Sequence, residues 1–312
     1  GLQATGIDPI NYMITPDMAA NAENIELLRE SLGLNDPFIV RYFHWIRDIV
    51  TGNLGYSIVN GSSISSLLAT RLPATFELAL AALILSSLLG ISIGIISAIH
   101  RNSILDQIVR AISVTGVSIP AFWFALLMLY FFYYKLKIFP GPGRLSNSFS
   151  APASVTGMYV IDSLIEGNPA KAMDAIRHLI LPSIVLAAFT MGLITRTTRS
   201  NLLDALSTDY VRTAKAKGLN SLCLILKHAL GNALIPVMTV IGLGLGNLLG
   251  GMVLVETIFK WPGVGQFAYE SVMAADYPAI IGVALLIALN YMIINTVVDI
   301  LYGIIDPRVR CN

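Results

Sequence analysis

The chain has 312 residues, of which 55% are hydrophobic and only 12% are charged, and its mean hydropathy is +0.72. Soluble domains carry about 25% charged residues, so this composition excludes an ordinary cytosolic enzyme, a disordered protein and a nucleic-acid-binding protein. The net charge of +1 exerts no bulk attraction on nucleic acid. The composition therefore predicts an all-α, polytopic membrane protein.

Five long runs lack Asp, Glu, Lys, Arg and His and are predicted to be membrane spans. A helix crosses the bilayer core with about 17–25 apolar residues, and even the shortest run, 179–195, has 17 residues. In chain order the predicted spans are residues 78–99, 111–134, 179–195, 229–255 and 277–298.

The distribution of positive charge between the spans predicts the orientation. Ten lysines and arginines fall within 58 residues that make up segments 100–110, 196–228 and 299–312. The other ten are spread over 142 residues in segments 1–77, 135–178 and 256–276. Because loops rich in Lys and Arg stay inside, we expect the first group to be cytoplasmic and the second to be external. This assigns an external cap to 1–77, an external loop to 135–178, a cytoplasmic loop to 196–228 and a cytoplasmic tail to 299–312.

An external first residue requires explanation, because residues 1–30 contain neither a signal peptide nor a spanning run. We therefore expect a further membrane helix ahead of these 312 residues, which would give six spans with both ends in the cytoplasm. Within the cap, helical spacing over residues 17–50 is broken at Gly33 and at Asp36-Pro37. This pattern predicts two short amphipathic helices at the membrane surface, which we interpret as a packed lid.

Glycines are regularly spaced in the fourth predicted span. Gly242, Gly246 and Gly250 make two overlapping G-x-x-x-G steps on one helix face. Such faces let helix backbones approach closely in lipid. Two interpretations stay open: the face is a plain packing surface, or it lines a translocation path with Asn247 and Asn290 as polar contacts.

Several prolines fall inside predicted spans. Pro120, Pro182 and Pro236 would each interrupt a backbone hydrogen bond unless they lie in a first helical turn. A first-turn position is expected for Pro182 and Pro236, which lie near predicted span starts.

Motifs of catalysis and nucleotide binding are absent or misplaced. Residues 90–94 match the G-x-S-x-G nucleophile elbow, but Ser92 lies in an apolar run without a charged or histidine partner, which predicts helix packing. The four histidines form no metal-binding spacing. No Gly-Lys dipeptide occurs, so the chain has no Walker A loop, and any ATP must be bound by another subunit. We expect no catalytic residue, metal ligand or cofactor in this chain.

The cytoplasmic loop contains the most informative stretch, residues 201–219. Asp209 can cap a helix, residues 210–217 favour helix, Lys215 and Lys217 suit the negative end of its dipole, and Gly218 can end it. Eight residues make a rod of about 12 Å. Such a short basic helix between two spans either docks into a cleft on a soluble partner or belongs to a solvated loop.

This stretch resembles the cytoplasmic EAA loop of ABC-importer permeases, in the version of the dipeptide/oligopeptide/nickel group. The resemblance lies in Asp209-Tyr210-Val211-Arg212-Thr213-Ala214-Lys215-Ala216-Lys217-Gly218-Leu219, followed by His228-Ala229-Leu230 and Asn232-Ala233-Leu234-Ile235-Pro236. The general loop begins Glu-Ala-Ala, with Gly four residues after its second Ala. Ala214 and Gly218 fit this pattern, whereas Arg212 and Thr213 replace its first two residues.

Blocks along the rest of the chain resemble the same group. They are Leu32-Gly33-Leu34 with Pro37, Arg71-Leu72-Pro73-Ala74-Thr75, Ile119-Pro120-Ala121-Phe122-Trp123, Arg196-Thr197-Thr198-Arg199, Glu256-Thr257-Ile258-Phe259, Trp261-Pro262-Gly263-Val264-Gly265, Asp276-Tyr277-Pro278 and Asp306-Pro307-Arg308. The family starts with a membrane helix and a Pro-Gly-Asp-Pro turn, to which Gly6-Ile7-Asp8-Pro9 is similar. This agrees with the expected preceding helix.

The resemblance implies the membrane domain of a type I ABC importer, a non-catalytic permease subunit of the bacterial cytoplasmic (inner) membrane. It implies four kinds of partner: membrane lipid, a second homologous permease, two ABC ATPases that bind ATP and Mg, and an external solute-binding protein. It further implies that the cargo is a di- or oligopeptide, with nickel chelates, antimicrobial peptides and oligosaccharides as alternatives. The ATPase-coupling residues that it implies are Asp209, Tyr210, Arg212, Thr213, Ala214, Lys215, Lys217 and Gly218.

Two other classes of protein remain as alternatives. An ion-coupled secondary transporter would work alone under a proton gradient, but the predicted spans hold no Asp, Glu, Lys, Arg or His and the chain has a capped cytoplasmic helix. No inverted duplication of the spans is visible, which also weakens this alternative. An intramembrane hydrolase would need Ser92 or another polar group as its nucleophile, so Ser92→Ala would abolish turnover.

Overall fold

The computed structural model describes residues 37–220 and 223–305. Within these residues, side chains are described except at positions 38, 41, 245–251, 299 and 301–305. The first predicted cap helix and half of the predicted tail, residues 306–312, lie outside the described residues. The chain divides into two compact units, one made of Gly1–Ala69 with Glu270–Ala284 and the other of Thr70–Tyr269 with Leu285–Asn312.

The regular elements of the described residues are helices. In chain order they are α1 Phe38–Val50, α2 Ile64–Ile99, α3 Ile104–Ser118, α4 Ala121–Met128, α5 Tyr159–Ile165, α6 Pro169–Leu206, α7 Asp209–Ala216, α8 Leu230–Ile258, α9 Val264–Met273 and α10 Tyr277–Ile305. A π-helical turn, Leu129–Lys135, continues α4, and another, Leu224–Ala229, leads into α8. The all-α prediction is confirmed.

Within the described residues, four helical segments are long and apolar enough to cross a membrane. They are α2, α6, Leu224–Gly244 and Tyr277–Val298. A fifth candidate is the bent pair formed by α3 and by α4 with its π-helical turn. The polytopic membrane architecture predicted from composition is therefore confirmed.

The predicted span 111–134 is not one helix. The chain bends by 109° between α3 and the helix formed by α4 and its π-helical turn. Between them, Ile119 is extended, with φ −75° and ψ 129°, and Pro120 occupies the N-cap of α4. Proline lacks an N–H and disfavours helical geometry in the preceding residue, so the chain breaks at this position. Hydrophobicity alone does not signal such a break.

Two membrane helices begin well before their apolar runs. Helix α2 starts at Ile64 rather than at residue 78, and α6 starts at Pro169, after Asn168, whose side chain accepts a hydrogen bond from the N–H of Lys171 at 3.0 Å. Pro182 consequently lies in the interior of α6, and Pro236 in that of α8. The first-turn position expected for both prolines is wrong. Helix α6 begins in a charged segment well ahead of its run, and α8 begins at Leu230, so Pro236 is its seventh residue.

The core of the larger unit lies between α2, α4, α6 and α8. Its fully or nearly fully buried side chains include Leu78, Val185, Met252, Val255 and Trp261. Helices α2 and α6 approach closely, since a Cβ at Gly90 would lie 2.7 Å from Ile194 and one at Gly94 would lie 2.6 Å from Thr198. These glycines, which include the flanks of Ser92, therefore serve helix packing.

In the smaller unit, Asp276 holds the start of α10. Its carboxylate accepts hydrogen bonds from the Ser57 hydroxyl at 2.5 Å and from the N–H groups of Ile58 and Ala279 at 3.3 Å. The carboxylate thus satisfies an N–H group of the first helical turn and joins it to the segment that precedes α2.

Candidate functional site

Helix α7 begins one residue earlier than the sequence predicted. Thr208, in extended conformation, occupies the N-cap, and Asp209 is the first helical residue. The Thr208 hydroxyl donates to the carbonyl of Ala205 at 2.5 Å, so it does not cap α7. The assignment of Asp209 as N-cap is wrong, but its carboxylate still lies in the first turn, where a negative charge suits the helix dipole.

Gly218 ends the helix. Lys217 is the C-cap residue, and Gly218 follows it in the left-handed region with φ +81°. The N–H of Gly218 donates to the carbonyl of Lys215 at 3.0 Å. This is the position after the C-cap, where glycine avoids the steric penalty of a side chain. The predicted end of the helix is confirmed.

One face of α7 is buried in the larger unit. Val211 and Ala214 are 3% and 9% exposed. They join a cluster with residues of α2, α6, the second π-helical turn and α8, namely Ala98, Leu202, Ala205, Leu224, Ala229 and Ala233. Small side chains dominate this cluster, so the backbones of α7 and the surrounding helices come close together.

The opposite face of α7 is exposed and charged. Its exposed residues are Asp209, Tyr210, Arg212, Thr213 and Lys215, followed by Lys217 and Gly218. The Arg212 guanidinium lies 3.5 Å from the Asp209 carboxylate, but both side chains are strongly exposed, so this pair adds little stability. The face therefore remains available to a partner molecule.

A polar contact joins α7 to α8. The side-chain amide of Asn232 donates a hydrogen bond to the Tyr210 hydroxyl oxygen at 2.9 Å. Sequence reasoning included Asn232 in a block of family resemblance but gave it no role. Its contact could not be read from the sequence, because no pattern connects a loop helix with the helix that follows it.

A buried ion pair lies where α2, α3 and α6 meet. Arg199 donates from Nε and Nη2 to the two carboxylate oxygens of Asp106 at 2.6 and 2.8 Å. Asp106 is fully buried and also accepts from the Ser97 hydroxyl at 2.6 Å and the N–H of Asn102 at 3.0 Å. Bidentate arginine–carboxylate pairs are strong and directional, so this pair fixes the three helices to one another. Sequence reasoning did not identify Asp106.

A second buried ion pair ties the predicted external loop to α2. Arg144 donates from Nη2 to Glu77 at 2.5 Å, and Glu77 also accepts from the N–H of Val160 at 2.8 Å. The guanidinium lies 3.5 Å from the centre of the Tyr159 ring. Both charged side chains are less than a tenth exposed, so removing either would leave the other charge buried and unpaired.

The same loop contains its own anchor, Asp162. Its carboxylate accepts from the N–H groups of Thr156 and Gly157 at 2.8 and 2.9 Å and from the Thr156 hydroxyl at 2.7 Å. Burial disfavours the charged form, but these donors outweigh it and hold the pKa of Asp162 below its ordinary value. The loop is therefore a folded element.

The turn after α8 is built around Glu256. This buried carboxylate accepts from the Thr75 hydroxyl at 2.7 Å and from the N–H of Gln266 at 3.0 Å. Gly263 passes so close to it that a Cβ there would overlap the carboxylate. The indole of Trp261 donates to the carbonyl of Ala74 at 2.8 Å. The Trp-Pro-Gly-Val-Gly block thus anchors this turn to α2.

The five residues predicted to line a path are only partly described. A Cβ at Gly242 would overlap Val298 of α10, so this glycine packs against a helix. The Asn290 amide donates to the carbonyl of Leu286 at 3.0 Å, and its side chain lines a cavity of about 140 Å³. Gly246, Asn247 and Gly250 lie in α8 outside the described side chains. Their role in a path stays a prediction.

Comparisons with known proteins agree with this architecture. The family described as "Binding-protein-dependent transport system inner membrane component" matches residues 90–310, and its N-terminal counterpart matches residues 8–79. The probable D,D-dipeptide transport system permease protein DdpB of Escherichia coli is 45% identical over 297 residues, which are 95% of this chain and 87% of the relative.

Two further relatives are similar over nearly the whole chain. The dipeptide transport system permease protein DppB of Alkalihalophilus pseudofirmus is 44% identical over 93% of this chain and 87% of its own length. The di/tripeptide transport system permease protein DppB of Pseudomonas aeruginosa is 40% identical over 97% of this chain and 90% of its own length. The chain therefore belongs to the family of binding-protein-dependent transport system inner membrane components and is a multi-pass ABC transporter permease subunit.

Proposed function

We propose that this chain is the permease subunit of an ATP-driven importer of di- or oligopeptides, which an external solute-binding protein delivers. A second homologous permease and two ABC ATPases complete the machine, and ATP and Mg bind to the ATPases. The three relatives named for dipeptide or di/tripeptide transport are 40–45% identical to this chain, which supports peptide as the cargo. Nickel chelates, antimicrobial peptides and oligosaccharides are the alternative cargoes.

The arrangement of α7 carries this proposal. Its buried face, at Val211 and Ala214, contacts the ends of the membrane helices, while its charged face is exposed beyond them. A short helix held in this way suits docking into a cleft on a soluble subunit. The chain has no Walker A loop, so we infer that the energy of ATP hydrolysis enters through the ATPase subunits. The exposed charged face of α7 supports this helix as the point of entry.

In this mechanism the ATPase pair closes on ATP and displaces α7. The displacement passes through the small-residue cluster to α6 and to the start of α8. The membrane helices then reorient the path between outward and inward access, which moves the peptide released by the binding protein. Gly242, Gly246, Asn247, Gly250 and Asn290 are the residues that we propose to line this path.

Substitutions in α7 test the coupling. Ala214→Asp places a carboxylate in the buried cluster, and Gly218→Pro disrupts the end of the helix. Both variants are expected to lose ATP-dependent peptide uptake in proteoliposomes, while the binding protein keeps its affinity for peptide. Ala153→Asp, the same exchange at an exposed position of the external loop, is the matched control and should transport normally. Normal uptake and normal co-purification with the ATPases in both α7 variants would show that the coupling assignment is wrong.

The cargo and the energy source need separate measurements. A thermal-shift screen of the binding protein against di- to hexapeptides, nickel chelates and chito-oligosaccharides identifies the cargo class. Uptake by the permease alone under a proton gradient, without ATPases, would instead establish an ion-coupled secondary transporter. We expect no uptake under those conditions.

A further inference from the structure

A groove of about 540 Å³ lies between α3 and α6 in the larger unit. The two helices run antiparallel, because Asp106, near the start of α3, pairs with Arg199, near the end of α6. Farther along, a Cβ at Gly192 would lie 2.7 Å from the carbonyl oxygen of Ser113, so this glycine lets the helices touch. The groove therefore follows the helix axes.

One end of the groove is positively charged. Arg110, Arg196 and Arg199 line it there, and Asp106 neutralises only one of them by a bidentate pair. Arg110 lies 3.8 Å from the same carboxylate, but its side chain is 53% exposed. Arg196 is exposed and has no ion pair with any carboxylate in the part of the chain that the structure describes. Two positive charges thus face the groove without a full partner.

The other end of the groove is apolar and hydroxyl-lined. Val114, Val117 and Leu193 form its walls, together with Ser118 at the end of α3. The two valines are exposed, and they belong to a candidate membrane span, where an exposed apolar side chain can contact lipid. The groove therefore changes from cationic to apolar along the helix axes, and the predicted orientation puts the cationic end at the cytoplasmic surface.

We propose that this groove binds an anionic phospholipid of the cytoplasmic leaflet. The phosphodiester lies between Arg110 and Arg196, and an acyl chain lies along Val114 and Val117. Arginine is suited to phosphate because its planar guanidinium presents several donors. The cytoplasmic leaflet is anionic, and basic pockets between membrane helices on that side bind anionic headgroups. A free anion would use only the charged end, whereas a lipid also covers the apolar walls.

The test uses the complete transporter complex in nanodiscs that contain phosphatidylglycerol or phosphatidylethanolamine, with bound lipid counted by native mass spectrometry. The wild-type complex should retain phosphatidylglycerol in preference to phosphatidylethanolamine. The double variant Arg110→Gln/Arg196→Gln should bind phosphatidylglycerol about thirtyfold more weakly, as expected for the loss of two basic contacts near an anionic surface. Arg196→Lys keeps the charge and should retain most of the preference.

Arg101→Gln is the matched control, because it removes an exposed positive charge from the same predicted cytoplasmic segment but does not line the groove. It should leave lipid retention unchanged. Equal retention by the double variant and the wild type would overturn the proposal. Competition by glycerol phosphate at the same concentration as the lipid would assign the site to a free phosphate instead, and competition by a dipeptide but not by its C-terminal amide would assign it to the cargo carboxylate.

Discussion

The side-chain amide of Asn232 donates a hydrogen bond to the hydroxyl of Tyr210 at 2.9 Å, and this contact links α7 to the beginning of α8. Both residues lie at the surface, so water competes for the bond and its net stabilisation is small. The bond matters because it connects the exposed face of α7 to α8, whereas the buried cluster connects the opposite face of α7 to the same helix. Helix α7 is thus connected to α8 by two separate contacts.

A double-mutant cycle measures this contact. Tyr210→Phe removes the hydroxyl, Asn232→Ala removes the amide, and the double variant removes both. We expect a coupling free energy of about 0.5–1.5 kcal/mol in thermal unfolding of the permease. Uptake per ATP hydrolysed should fall in each single variant and fall little further in the double variant. Strictly additive effects on both readouts would show that the two side chains act independently.

Gly218→Ala tests the left-handed end of α7. A Cβ at this position would contact nothing, so the cost is conformational: alanine in the left-handed region is less stable by about 1–2 kcal/mol. Gly231→Ala is the matched control, because its Cβ also meets nothing but its backbone is helical. That exchange should stabilise α8 by up to about 1 kcal/mol. Melting temperatures of the two variants should therefore move in opposite directions.

Asp106→Asn tests the ion pair between α3 and α6. It leaves Arg199 without its carboxylate partner, so the free energy of unfolding should fall by about 3–5 kcal/mol. Arg110→Gln removes only the exposed arginine 3.8 Å from the same carboxylate and should change stability by less than about 1 kcal/mol. Thermal unfolding in detergent compares the two. A small loss for Asp106→Asn would mean that the pair does not hold these helices together.

Gly242→Ala tests whether this glycine packs against α10 or lines the translocation path. The new methyl group would overlap Val298, so the variant should be less stable. Adding Val298→Ala frees the space and should recover much of the stability and of the peptide uptake. If Gly242 instead lines the path, uptake will stay low in the double variant although its stability recovers. Melting temperature and uptake measured on the same preparations decide between these outcomes.

Local signals in the sequence predicted those parts of the fold that depend on local chemistry. Apolar runs located the membrane helices, and the capping pattern located α7 and its end at Gly218. Helix starts were missed because charged residues such as Glu77 interrupt the apolar runs. In the structure Glu77 lies within α2, and its buried carboxylate is paired with Arg144. A charge paired by a distant loop is compatible with a continuing helix.

Long-range pairs could not be predicted. Asp106 and Arg199 are 93 positions apart, and neither has a local pattern that points to the other. Arg199 and Trp261 stood within blocks of family resemblance, yet their roles, in an ion pair and in a turn anchored to Ala74, require the packing of helices. For the same reason, the groove between α3 and α6 has no counterpart in the one-dimensional pattern.

The break at Ile119–Pro120 divides the candidate membrane segment formed by α3 and α4 into two mechanically separate helices. No continuous ladder of hydrogen bonds crosses it, so twisting or sliding of α3 is not transmitted as a rigid rotation to α4. Helix α3 is fixed to α6 by the Asp106–Arg199 pair, whereas α4 packs against α8 and α6. Helices α3 and α6 are therefore expected to move together as one body, and the break allows α4 to keep its own packing while they move.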